Sequence, residues 1–269
     1  MKRYLILIFI LLGGHNLYAQ HRLGISLSPV MTWQIDTLST TLSIPSGGGF
    51  AGMTYQYQYQ AFILQTGLDI GIANMRQKID TLQLSSDTIC YNRTDDMRRM
   101  EFTIPIMLGV GIQHFYLLGG VKAIFTPQII TTQRATIAIQ NGDDRYYDDY
   151  NQMFMDEHTV VSQGKMHILP NLHATLELGA RWRTNRYNRK SPIFQMGLFV
   201  DYSLLHVMPK GYSIIDNNSS SSVLTDIEHT YVPMMHTEGG LPVNHLYAGI
   251  RLSLLFDISP IYYNTNINY

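Results

Sequence analysis

Apolar and polar residues alternate with a period of two over eight stretches of the chain, residues 23–34, 48–59, 61–73, 100–112, 115–127, 171–183, 192–205 and 245–257. Successive side chains of a strand point to opposite faces, so this period predicts eight strands with one apolar face each. Each stretch is slightly longer than the roughly 9–11 residues that carry a tilted strand across a bilayer. Long and short connections alternate along the chain. Short turns are expected near Gln60, at Gln113-His114 and from Thr184 to Ser191, and long external loops at 35–47, 74–99, 128–170 and 206–244. An antiparallel meander that closes on itself has this rhythm, and closure leaves no strand edge unsatisfied in hydrocarbon. The expected fold is all-β, an eight-stranded antiparallel transmembrane β-barrel of up-and-down topology.

Two rival readings of the pattern fail on particular residues. Phe102 to Val121 carries no Asp, Glu, Lys or Arg and is long enough for a membrane helix. Pro105, the glycines and the central Gln113-His114 oppose a helix, while Phe102, Ile104, Ile106, Leu108, Val110 and Ile112 alternate as in a strand that turns back. A soluble barrel would also alternate, but with its apolar face inward. In the sixth stretch Leu172, Ala174, Leu176, Leu178, Ala180 and Trp182 oppose His173, Thr175, Glu177, Gly179, Arg181 and Arg183. Charge mixed with glycine fits a crowded lumen, leaving the apolar face for lipid. Tyr55, Tyr57 and Tyr59 lie on that outward face near a short turn, where a ring can sit in the membrane and its hydroxyl in water.

Composition narrows the setting. Only 14% of the 269 residues are charged and the formal net charge is −1, which removes the basic field that nucleic-acid binding needs. The single cysteine, Cys90, excludes an intramolecular disulfide framework and a four-thiolate metal site. Met1-Lys2-Arg3, the apolar run Leu5 to Leu12 and a cleavage point after Ala19 have the form of a secretory signal peptide, and Gly13-Gly14-His15-Asn16 ends the run short of a membrane anchor. The expected organisation is a signal peptide over 1–19, an outer-membrane barrel over 20–257 and a tail over 258–269.

The inward positions gather Asp69, Glu101, Glu177, Asp201 and Asp257 against Lys122, Arg181, Arg183 and Arg251, with Asp69, Lys122, Glu177 and Arg251 near mid-strand. Eight strands enclose a space that side chains fill, so these charges are expected to pair into a plug rather than line a general pore. His173, Glu177 and Ser203 have the side chains of a Ser-His-acid set, but the register points them into the lumen, away from a lipid substrate. No catalytic residue, metal or cofactor is therefore assigned. In the third long connection Asp143, Asp144, Asp148 and Asp149, interleaved with tyrosines, form an acidic tip for a cation or a partner, though no glycine marks the bend of a calcium loop. Alternation at Ala135, Ile137 and Ile139 and again at Val160-Val161 predicts that this hairpin protrudes beyond the membrane.

The segments EFTIPIMLGVGI from Glu101 and FYLLGGVKAIFTP from Phe115 resemble the paired central strands of the PorT-like outer-membrane β-barrel proteins of Bacteroidota. The resemblance implies an eight-stranded barrel in the outer membrane and, for one branch, a role in the type nine protein secretion machinery. Asp36-Thr37-Leu38, Asp80-Thr81-Leu82 and Asp87-Thr88-Ile89 likewise resemble the Asp-Ser/Thr-apolar sites at which these bacteria attach O-glycans, and all three fall in expected external loops. The expected partners are outer-membrane lipid and lipopolysaccharide, with envelope or secretion proteins, and no nucleic acid. The function expected is a non-enzymatic structural or surface-interaction role through the loops, the alternatives being a secretion accessory and a barrel enzyme acting on lipid or peptide.

Overall fold

The computed structural model describes residues 19–35, 41–83, 88–139, 146–148, 153–155, 157–185, 191–205, 209–217 and 244–258. These hold thirteen strands: β1 Gln20–Ile35, β2 Thr41–Ile44, β3 Ser46–Tyr59, β4 Phe62–Gln83, β5 Thr88–Ile112, β6 Phe115–Ile139, β7 Tyr146–Asp148, β8 Met153–Met155, β9 Glu157–Ile168, β10 Asn171–Arg183, β11 Ile193–Ser203, β12 Pro209–Asn217 and β13 Asn244–Asp257. Eight of them, β1, β3, β4, β5, β6, β10, β11 and β13, pair antiparallel in that order, and β13 closes the ring on β1 from Arg22↔Asp257 to Ile35↔Asn244. Six expected strands fall within one of the eight and the other two, 61–73 and 192–205, overrun β4 and β11 by one or two residues at an end, so the protein is an eight-stranded antiparallel transmembrane β-barrel. Gln60 and Gln113 make its two-residue turns with left-handed φ of 53° and 51°, a conformation uncommon outside glycine and asparagine that the tight antiparallel turn imposes.

The expected external loop 74–99 is corrected. β4 runs on to Gln83 and β5 begins at Thr88, and their pairing keeps one register from Phe62↔Val110 to Gln83↔Ile89. The expected protruding hairpin is present too: β9 continues β10 in the same register against β6, from Ile129↔Met166 to Ala138↔Glu157. β2 adds to β4, and β12 to β9. Beyond the ring at the end opposite the short turns there thus stands a six-stranded sheet, in the order β2-β4-β5-β6-β9-β12.

Two prolines mark the level where barrel gives way to this extension. On β6 the inward residues are Tyr116, Leu118, Lys122, Ile124 and Thr126 below Pro127, but Ile129, Thr131, Gln133 and Ala135 above it. On β9 and β10 the same change of phase falls at Leu169-Pro170, between buried Ile168 and buried Asn171. Proline has no N–H to give the ladder, and an extra residue turns every later side chain to the other face. Because both neighbours carry the extra residue, β6 and β9 stay in register, and the irregularity appears against β5 between Met100 and Phe102.

Candidate functional site

Below the prolines the outside of the ring is apolar: Ile25, Leu27, Met53, Leu68, Ile106, Leu108, Leu176, Leu178, Leu198, Val200 and Ile250 are all exposed. An exposed belt of this size around a closed ring is stable only against hydrocarbon. The tyrosines expected at its rim do face outward, and the Tyr55 hydroxyl lies 2.7 Å from His21 Nδ1.

Inside, side chains fill the lumen in layers. At the short-turn end Arg22 Nη1 donates to Gln56 Oε1 and Gln58 Oε1, each at 2.8 Å, and Arg181 Nη1 donates to Gln58 Oε1 at 2.6 Å. Next comes an apolar cluster of Ile63, Met107, Tyr116 and Leu118. The Tyr116 hydroxyl donates to Glu177 Oε1 at 2.7 Å. At mid-barrel Arg251 pairs with Asp69, whose Oδ1 also accepts from Ser26 at 3.1 Å, and Lys122 Nζ donates to Asp201 Oδ2 at 2.8 Å. Lys122 Nζ also stands 4.3 Å from the Phe199 ring centroid. Higher up Arg99 contacts Glu101 at 3.2 Å and His245 Nδ1 at 2.8 Å, and Tyr247 donates its hydroxyl to Glu101 at 2.9 Å. A second apolar cluster of Ala73, Met75, Met97, Ile124, Ile129, Ile168 and Tyr247 lies about this layer and into the extension. The internal space bounded by Asp69, Lys122, Asp201, Tyr247 and Arg251 measures about 10 Å³, room for roughly one water.

Of the sequence-predicted lumen residues, Asp69, Glu101, Lys122, Glu177, Asp201 and Arg251 are buried inside the ring, and Arg181 lies half-buried at its short-turn mouth. Asp257 and Arg183 are half-buried as well. Sequence reasoning missed Arg22 at the mouth, Arg99 with His245 and Tyr247, and the buried Arg93–Asp95 pair at 3.0 Å. It also missed the two apolar clusters, having read the inner face as polar.

His173 and Ser203 are cross-strand partners on inward faces, as expected. Ser203 Oγ donates to Leu205 O at 2.5 Å, and Glu177 is taken by Tyr116, so the three side chains form no relay among the described residues. Thr81 and Thr88 lie in β4 and β5, not in a loop, which corrects their expected placement. Asp148 ends β7, while Thr37, Asp143, Asp144 and Asp149 lie outside the described residues, as do the signal peptide up to residue 18 and the tail beyond Ile258.

The outer face of the extension carries a set of exposed cations. Arg76, Arg98, Arg134 and Lys165 are exposed on β4, β5, β6 and β9, and Arg76 pairs with Asp96. The hydrogen bond to Asp96, and then its charge, raise the Arg76 pKa above its ordinary value.

The fold and the site define a membrane-spanning barrel with a filled lumen and a charged sheet on one side. No protein-family model matches the chain and no curated protein matches it. Among solved structures it is similar to Ail, the attachment invasion locus protein of Yersinia pestis, in a complex with the heparin analogue sucrose octasulfate, at 10% identity and a TM-score of 0.32, covering 88% of this chain and 99% of that one. It is also similar to neisserial surface protein A, at 7% identity and a TM-score of 0.28, covering 86% of this chain and 96% of that one.

Proposed function

We propose that the protein resides in the outer membrane and acts at the cell surface without catalysis, presenting the six-stranded sheet above the outer leaflet as a contact surface. The observation that carries this reading is the one-sided length of the strands. β5 and β6 have 25 residues each, more than twice the roughly 9–11 a membrane strand needs, and all the excess lies opposite the short turns. Outer-membrane barrels keep short turns periplasmic and long segments external. A lumen filled by layered and paired side chains supports a contact role over transport.

The test is topological. In a Cys90→Ser background, a membrane-impermeant maleimide should label an Arg134→Cys variant in intact cells and a Gln60→Cys variant only after lysis. The opposite pattern would turn the sheet towards the periplasm and sink the reading. The resemblance of the strand from Glu101 to Ile112 to the PorT-like proteins supports a second reading, an accessory of type nine secretion. Under that reading, loss of the protein should stop export of the secreted substrates with labelling unchanged.

A further inference from the structure

The lipid-facing belt is furrowed at β3. On the upper half of β3 the outward positions are Gly47, Gly49 and Ala51, where neighbouring strands carry Leu27 and Pro29 on one side and Ile70 and Ile72 on the other. The small residues Gly49 and Ala51 leave a groove of about 730 Å³ with mostly apolar walls, and Gly47 lines the hollow that adjoins it. A Cβ added at Gly47 would touch nothing, and one at Gly49 would reach only the Ser28 carbonyl at 3.9 Å, so the space over these two glycines is open among the described residues. Such a trench in the hydrocarbon zone is filled by whatever lipid lies beside it.

The upper end of the furrow is polar. Asn74 Nδ2 donates to Gly47 O at 2.8 Å, and from Asn74 the register runs across the sheet through Arg98 and Ile130 to Lys165. Arg98 lines the furrow and also the adjoining hollow of about 580 Å³, which Arg76 and Asp96 share. On β5 Arg98 is the first outward residue above the unbroken apolar series from Ile112 to Met100. A cation at that height stands level with lipid headgroups, and a guanidinium binds phosphate through paired N–H donors.

We propose that this face is a binding site for a phosphorylated glycolipid of the outer leaflet: an acyl chain lies in the Gly49-Ala51 furrow and a sugar phosphate is held by Arg98, with Arg76 and Lys165 to either side. The inference rests on the orientation proposed above. Asp96 offsets Arg76, leaving Arg98 as the principal phosphate ligand and Lys165 as the next cation along the row.

The test uses the full mature chain refolded in detergent micelles and titrated in native mass spectrometry with bis-phosphorylated lipid A, with the same lipid after enzymatic dephosphorylation, and with phosphatidylglycerol. One-to-one adducts with the phosphorylated lipid A are expected. Affinity should fall roughly tenfold for Arg98→Gln, the value of about one charge-assisted hydrogen bond, and fall comparably for Gly49→Leu, which fills the furrow and leaves every cation in place. Heat-modifiable electrophoretic mobility checks that both variants fold. Undiminished binding of the dephosphorylated lipid or by Arg98→Gln would overturn the phosphate site, and undiminished binding by Gly49→Leu would overturn the furrow. Equal affinity for phosphatidylglycerol would overturn the choice of a glycolipid. Binding in micelles does not depend on leaflet, so its failure is separate from a failure of the labelling experiment.

Discussion

At the scale of single residues the lumen is a fitting problem. Gly179 and Gly197 face each other across β10 and β11, and both lie under the Tyr116 hydroxyl, which a Cβ at either position would overlap. The hydroxyl is held there by Glu177. In a urea titration of the refolded barrel, Gly197→Ala should therefore cost about 1–3 kcal/mol through overpacking. Tyr116→Phe should cost a similar amount, about 1–3 kcal/mol, by leaving a Glu177 oxygen unpartnered. The double variant should lose less than the sum, because the nearest of the clashing atoms at Gly197, ahead of Glu177, is the atom removed; simple additivity would show that the glycines do not make room for this ring. Gly179 and Glu177 were legible in the sequence as one polar face. Their partner Tyr116 was not, since alternation assigns a face and not the depth at which residues from distant strands meet.

At the scale of elements, the strands inside the membrane were legible because one face is uniformly apolar there. The extension was hidden because both of its faces carry charge. On β5 Arg93, Asp95 and Arg99 point inward while Asp96 and Arg98 point outward, so period two persists in geometry but disappears from hydropathy. The same blindness concealed Arg99, which falls within the expected loop, and with it the contacts it makes to Glu101, His245 and Tyr247. The protruding hairpin of β6 and β9 was found where apolar residues resumed at Ala135 and Val160. The prolines at 127 and 170 were visible, but their meaning as a paired change of phase required the register. The extension should depend on the barrel and not the reverse, since the ring closes through pairs below it. Replacing residues 78–94 by Asn-Gly joins Gln77 and Asp95, which are already cross-strand partners, through a turn suited to a hairpin. This trimmed chain should still show heat-modifiable mobility and insert into membranes. Aggregation in its place would mean that the sheet above the membrane is needed to form the ring.

For the whole molecule, the order of layers decides whether the barrel conducts. The charged middle would by itself suit an ion path, because Asp69, Lys122, Asp201 and Arg251 surround the internal space. Yet Ile63, Met107 and Leu118 lie towards the short turns, and Met75, Met97 and Ile129 lie towards the extension. Apolar side chains packed in a lumen oppose ion passage because a permeating charge would lose its water there without gaining a partner. Two such clusters flank the middle, one on either side. The protein in a planar bilayer should therefore give no steady conductance. The same should hold for Asp69→Ala/Arg251→Ala, which removes the mid-barrel pair and leaves both apolar layers standing. Removing one partner alone is the harsher change, since it strands the other charge in the lumen at a cost of roughly 3–5 kcal/mol; the double variant should refold better than either single one. If the double variant opened a steady ionic current, the ion pairs would be the seal and the apolar layers would be mere packing. If the unaltered protein conducted, the lumen would have to rearrange in the membrane, and the case for a surface-contact role over transport would fall with it.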